Sequence, residues 1–257
     1  MPNGKLHKKV ALITGAGSGI GAATARLMAA EGAHVAITGI PEDGVLSIAA
    51  EIASSGGSAV AIPTDISNPG QVESAVAQTV ESFGSLDILV ANAGIQMHRE
   101  DRKLHELPEE VWDRTHDVNY KGQYFTCKYG LALMVRQGLG GVVILIASIT
   151  ALRGTSPNVS YAAGKAGVVN LARHIAVHYG INGVRANSIP PGPLERTPDY
   201  ENHPDPKGRE KEYLDKIPVG RLGTPEDIAP FITFLAMDEA SFASGANFVI
   251  DGGWTIA

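Results

Sequence analysis

One cysteine, Cys127, leaves a sequence of 257 residues with no internal disulfide to close, which fits a reducing compartment. No apolar stretch approaches the roughly 18 residues that a membrane-spanning helix needs. The opening residues, MPNGKLHKKVALITG, run straight into an apolar strand with no signal-peptide core or cleavage site. No block of Lys or Arg is long enough to track a phosphate backbone, and the net charge is −6, so nucleic acid is not an expected partner. A metal site is not indicated either. His174 and His178 stand four apart in RHIAVHYG, but no Glu follows the first and no third ligand lies nearby. What these absences leave is expected to be a soluble, cytoplasmic protein with no membrane or nucleic-acid partner.

What is present is globular composition, 44% hydrophobic and 19% charged, suited to one well-buried α/β core. Short β-branched runs at 10–14, 35–38, 59–63, 88–91, 142–147, 184–189 and 247–250 are continuously apolar, as strands buried on both faces should be. Between them lie helical patterns such as GAATARLMAAEG and QVESAVAQTVESFG, each closed by Gly. The alternation predicts an α/β fold: a doubly wound parallel sheet of about seven strands, flanked by helices on both faces. No linker interrupts it, so residues 1–257 read as one domain. Residues 193–217, PLERTPDYENHPDPKGREKEYLDKI, break the rhythm with Pro and charge and are expected to form a functional lid or loop.

VALITGAGSGIGAATARLMAAEG reads as strand, glycine turn and helix. Gly15, Gly19 and Gly21 sit where a tight turn lets backbone N–H groups approach a pyrophosphate at a helix N-terminus. The spacing is G-x-x-x-G-x-G, not the G-x-G-x-x-G of the general Rossmann fingerprint. Further along, SYAAGKAG places Tyr161 and Lys165 on one helix face, and Ser148 falls at the end of a strand, where doubly wound sheets place ligands. A phenol titrates near ~10. An ammonium at ~5 Å in an effective dielectric of ~20 favours phenolate by about 3 kcal/mol, so Lys165 is expected to bring Tyr161 down towards working pH.

Taken in order, these pieces resemble the short-chain dehydrogenase/reductases over essentially the whole length. TGAGSGIG (14–21) is similar to their cofactor loop, NAG (92–94) to the motif ending the fourth strand, and DVNYKG (117–122) carries the helix asparagine, Asn119. Ser148, Tyr161 and Lys165 match S-x12-Y-x3-K, PPG (190–192) resembles the turn after the sixth strand, and DGG (251–253) the C-terminal signature. The resemblance implies a Rossmann-type fold and hydride transfer between a nicotinamide and a carbon bearing oxygen. It also implies the roles. Tyr161 would be general acid/base, Ser148 would hold the substrate oxygen, Lys165 would also grip the nicotinamide ribose, and Asn119 would order a water. For the cofactor it implies Gly15, Ser18, Gly19, Ile20 and Gly21 in the loop and Gly39 and Ile40 after the second strand. Asp65 and Ile66 follow the third strand, Asn92, Ala93 and Gly94 the fourth, and Pro191 and Gly192 join Tyr161 and Lys165. A homotetramer is expected by the same likeness, through helices near 108–136 and 158–179.

Neither the acidic residue that binds a ribose 2′-OH nor the Arg that accommodates a 2′-phosphate stands at Gly39 and Ile40, and the loop position is Ser18. A 2′-phosphate without a cation is poorly compensated, so NAD is favoured over NADP. Substrate contacts are expected from Ser148, Tyr161, Gln96, Arg153 and Asn158, with His98, Arg99, Thr150, Leu152, Leu194, Arg196 and His203 nearby. That polar inventory suits a polyol, sugar or hydroxy acid. Thr197 comes one residue later than the threonine the family often carries. Two alternatives stay open: an NADPH-dependent ketone or 3-oxoacyl reductase, and a non-catalytic dinucleotide-binding protein.

Overall fold

The computed structural model describes residues 4–154 and 158–257; residues 1–3 and 155–157 of the expected domain lie outside the described residues. Six strands form one parallel sheet in the order β3-β2-β1-β4-β5-β6. They are β1 (Val10–Thr14), β2 (His34–Gly39), β3 (Ser58–Pro63), β4 (Ile88–Ala91), β5 (Gly141–Ile146) and β6 (Val184–Ile189). Alternate residues of a strand enter different cores. Ala11 and Ile13 of β1 and Val142, Ile144 and Ile146 of β5 pack on one face, Leu12, Val143 and Leu145 on the other. With a period of two and helices on both sides, every position must be apolar.

The first core is covered by α1 (Gly19–Ala30), α2 (Glu42–Ser54) and α9 (Pro225–Ala236), through Met28, Ile48, Ile228 and Ile232. The second lies under α3 (Pro69–Phe83), α5 (Gln123–Gln137) and α6 (Val159–Tyr179), which contribute Val76, Met134 and Val168. Helix α3 begins where its signals predict: Asn68 accepts from the Gly70 and Gln71 N–H groups, Pro69 follows, and Gly84 closes it at φ 86°. Helix α4 (Glu109–His116) runs into α5 through a π-helical turn, Asp117–Gly122, which holds Asn119. Such turns concentrate at functional sites.

The seventh run, 247–250, lies beside β6 but pairs only through isolated bridges, Ser188 with Asn247 and Pro191 with Ile250. The cause is a missing donor. Ser188 N–H donates to Ala246 O and accepts, at its carbonyl, from Phe248 N–H. The next rung needs an N–H at Pro190, which has none, and the ladder resumes only at Ile250 N–H to Pro190 O. Residues 193–217 contain no strand, as expected, but fold into two short helices, α7 (Pro198–Glu201) and α8 (Pro206–Leu214). Strand order reverses between β1 and β4, so the carboxyl ends of those strands open a crevice. Among the described residues no helix is long and apolar enough to cross a membrane.

Candidate active site

The crevice is a cleft of ≈ 990 Å³ running from the glycine loop, past the ends of β4 and β5, to the 193–217 segment. Its framework is polar where two strands part. Thr14 Oγ1 accepts from the N–H groups of Asn92 and Ala93 (3.0 and 3.1 Å), and Asn92 Nδ2 donates to the carbonyls of Thr14 and Gly15 (2.8 and 3.2 Å). Asn92 therefore ties β1 to β4 beyond the sheet.

The glycine loop enters α1 with Gly15 at φ 64° and Gly19 at φ 52°, both in the left-handed region where side chains are strained. A Cβ at Gly15 would stand 2.8 Å from Ala93 Cα, and one at Gly21 would stand 2.4 Å from Gly15 O. Ser18, at the N-cap, makes no side-chain cap to α1, so the first turn of α1 is capped by no side chain of its own. Tight glycines before such a helix end fit a pyrophosphate. Gly15, Ser18, Gly19 and Ile20 line the cleft, with Gly39 and exposed Ile40 after β2; Gly21 does not and serves the packing beneath.

Asp65 and Ile66 line the cleft beyond β3. Asp65 Oδ1 accepts from Ser67 N–H and Oγ (2.9 and 2.7 Å). Burial pushes its carboxyl up, but the Ser67 bonds and the Arg114 charge outweigh that and leave it below the usual range. Arg114, on α4, also lines the cleft and donates to Ser67 Oγ at 3.3 Å. It escaped the sequence reading because nothing local marks it; it reaches Ser67 from 47 residues away.

At the other end, Ser148 follows β5 and accepts at Oγ from Thr150 N–H and Oγ1 (3.2 and 3.0 Å). Tyr161 and Lys165 rise from the first turns of α6, with Lys165 Nζ 5.7 Å from the Tyr161 ring centroid. Ser148, Tyr161 and Lys165 all line the cleft. Lys165 is 3% exposed, donates to Ile146 O at 2.9 Å, and is pushed by burial down to about 8. The expected lowering of the phenol is not found. Burial raises Tyr161 well above its ordinary value and the Asp199 carboxylate adds to that, while a hydrogen bond from Ser148 opposes it. Burial is the largest cause, and Lys165 Nζ donates to the Ile146 carbonyl.

Asn119 is buried and does not line the cleft. Its Oδ1 accepts from Ile95 N–H and its Nδ2 donates to Ile95 O, both at 2.7 Å. The side chain staples the loop after β4, so any part in ordering a water falls to its main chain. Gly94, beside it, is crowded: a Cβ there would meet Asn119 Oδ1 at 3.0 Å and Lys165 Nζ at 3.3 Å.

Of the expected substrate contacts, Gln96 and Asn158 line the cleft and Arg153 does not. Arg153 donates to the carbonyls of Trp254 and Thr255 (3.4 and 2.7 Å) and lies over the Trp254 ring, so it pins the C-terminal segment instead. Arg99, Leu152 and Arg196 also stand outside, whereas Ala93, Gly94, Pro191, Gly192, Leu194, Thr150 and Thr197 border the cleft. Thr197, 9% exposed, caps α7 through Tyr200 N–H (3.2 Å). The 193–217 segment brings charges the sequence did not locate. His98 Nε2 lies 2.8 Å from Asp199 Oδ1, Arg209 donates to Asp199 Oδ2 (3.2 Å) and to Tyr213 Oη (2.9 Å), and the His203 ring meets His98 edge-on. Burial pushes the Asp199 carboxyl up, but His98 and Arg209 together hold it below the usual range. Among the described residues no group of acidic, His or Cys side chains could hold a metal.

A family model described as enoyl-(acyl carrier protein) reductase matches residues 15–255. The chain is 39% identical to an L-rhamnose 1-dehydrogenase (NAD(P)(+)) of Azotobacter vinelandii, over 96% of this chain and 97% of that one. It is 37% identical to a cyclohexanol dehydrogenase of an Acinetobacter species, over 98% and 96%. The crystal structure of a short-chain type dehydrogenase/reductase from Mycobacterium marinum matches with TM-score 0.90 and 35% identity, covering 98% of this chain and 97% of that one.

Proposed function

The chain belongs to the short-chain dehydrogenase/reductase family, and from that premise we propose that it oxidises a secondary alcohol of a neutral, hydroxyl-rich small molecule, or reduces the matching ketone. It is an oxidoreductase of CH–OH groups that uses a nicotinamide dinucleotide. The observation that carries the finer reading is the meeting of Ser148, Tyr161 and Lys165 at one end of the cleft, opposite the glycine loop. The nicotinamide ring, when bound, gives or takes the hydride. Ser148 orients the substrate oxygen. Tyr161 gives that oxygen its proton in reduction and takes it in oxidation, for which its raised pKa calls for alkaline solution. Lys165, buried beside the phenol, would offer a hydrogen-bond donor to the nicotinamide ribose when the cofactor is bound.

The substrate class follows from charge pairing. At the lid end, Arg209 and His98 face Asp199, and Lys216 faces Glu212 at 2.8 Å. With Arg209 and Lys216 matched to carboxylates, a hydroxy acid would have to compete with Asp199 and Glu212 for them, whereas a sugar or polyol can exchange hydrogen bonds with the same groups. The relatives named for L-rhamnose, cyclohexanol and cis-4-hydroxycyclohexanecarboxylate support a ring alcohol. NAD is favoured over NADP because Gly39 and Ile40 offer no cation and Arg114 is engaged by Ser67 and Asp65. A homotetramer is proposed too, supported by exposed Tyr124, Val135 and Leu139 on and just past α5.

Replacing Tyr161 by Phe tests the reading. Turnover of sugars and cyclic alcohols should fall by at least about 100-fold, the low end for a general acid/base, while NADH binding stays within about twofold. Retained turnover would refute the assignment of Tyr161. Lost turnover of the wild-type protein on neutral alcohols, with good turnover of acyl thioesters, would favour the reductase alternative.

A further inference from the structure

The first turn of α6 carries Tyr161, yet the residue at its N-cap, Asn158, does not cap it with its side chain. The cap comes from elsewhere. Asp101, 2% exposed, accepts from Ser160 N–H at 3.1 Å, from Ser160 Oγ at 2.7 Å and from Tyr161 N–H at 2.9 Å. A carboxylate at a helix N-terminus gains from charge-assisted bonds and from the dipole, and here one of those bonds ends on the backbone of Tyr161 itself.

Asp101 also closes a loop. Residues 95–101 start at Ile95, whose N–H and C=O are both held by Asn119, and turn back through Asp101 N–H to Met97 O at 2.8 Å. Between those anchors stand Gln96 and His98, which line the cleft, and His98 grips Asp199 of the lid. The loop thus joins the π turn, the 193–217 segment and the start of α6, and Asp101 makes three bonds to the first turn of α6.

We propose that Asp101 is a positioning residue: it fixes where the Tyr161 phenol stands relative to Ser148, and ties that position to the substrate wall formed by Gln96 and His98. This rests on Tyr161 being the acid/base. The groups whose charge or hydrogen bond sets the phenol are Ser148, Asp199, Arg209 and Tyr213, with Lys165 beneath the ring; Asp101 is not among them and acts through the backbone. Displacement of a reacting group by about 1 Å costs up to about 100-fold.

The test is Asp101→Asn, which puts an N–H where one acceptor stood, alongside Ser160→Ala, which removes one of the three bonds and keeps the carboxylate. In Asp101→Asn, kcat per NADH-binding site should fall about 10- to 100-fold while the NADH Kd stays within twofold. The alkaline limb of the oxidation profile should move to higher pH, because the Ser148 bond that holds the phenol down is loosened. Ser160→Ala should fall about 2- to 5-fold with the limb moved the same way, and it decides the matter if Asp101→Asn does not fold. A loss of melting temperature with kcat per site and the alkaline limb unchanged would overturn the proposal and leave Asp101 as a stabilising cap. Turnover surviving in Tyr161→Phe would instead remove its premise.

Discussion

Replacing Lys165 by Met probes the electrostatics of the cleft through stability. The ammonium is buried and burial alone moves it from 10.5 to about 8. That gap is worth about 3 kcal/mol of instability at neutral pH, at about 1.4 kcal/mol for each tenfold change. Between the two values the unfolded chain holds a proton that the folded chain has released, so stability rises with pH from about 8 to 10.5. Roughly 1 kcal/mol of it returns between pH 8 and 9, or about 2–4 °C of melting temperature for a chain of this size. Above pH 9 the buried Cys127 thiol works against it. Burial pushes that thiol to about 12, so the unfolded chain loses the proton first and stability falls. The informative window is therefore pH 8 to 9. Thermal melts of the wild type should climb across it and those of Lys165→Met should stay flat by comparison, with turnover abolished. The level at pH 7 is a poorer readout, because the Ile146 carbonyl loses its donor at a cost of about 1–3 kcal/mol. Parallel curves for the two proteins would refute a depressed Lys165.

Asp199→Asn should move the alkaline limb of alcohol oxidation to lower pH, since the carboxylate helps hold the Tyr161 phenol up; it should also raise KM by freeing His98 and Arg209. A limb that stays in place, read from kcat/KM against pH, counts against that coupling. Fluorescence titration should find NADH bound more tightly than NADPH, and Ile40→Arg should narrow the difference; tighter NADPH in the wild type contradicts the cofactor preference. Sedimentation should give four times the mass of one chain, and a stable monomer would remove the proposed tetramer.

The strands were legible because their chemistry is local. A segment buried on both faces must be apolar at every position, and β1, β4 and β6 occupy the spans read from sequence, while β3 differs by one residue at one end and β2 and β5 by one residue at each end. Reading hydrophobicity alone overlooked what Pro190 does to a seventh strand, although the residue that breaks the ladder stands in plain view. At the site, spacing along one helix was enough to bring Tyr161 and Lys165 together, and the glycine loop was marked by its own backbone demands. What spacing could not supply is the environment. The phenol's burial, the turn of Lys165 towards Ile146, and the capture of Asn119 by Ile95 depend on which segments close over them. Arg153 faced the wrong way for the same reason, held by the C-terminal backbone 101 and 102 residues away. The lid's Asp199 and the cap Asp101 are likewise reached across long stretches of chain, 101 residues to His98 and 59 to Ser160.

The paired charges of residues 199–216 bear on how a substrate arrives. Opposite charges a few ångströms apart cancel beyond about a Debye length, ~8 Å at physiological salt, so Arg209, Asp199, Lys216 and Glu212 project little field into solvent. A neutral sugar gains nothing from long-range steering. Its capture rate should follow diffusion and hardly respond to ionic strength. Discrimination then falls to hydrogen bonds formed at close range, after entry, where swapping one hydroxyl's orientation leaves a buried donor or acceptor without its partner.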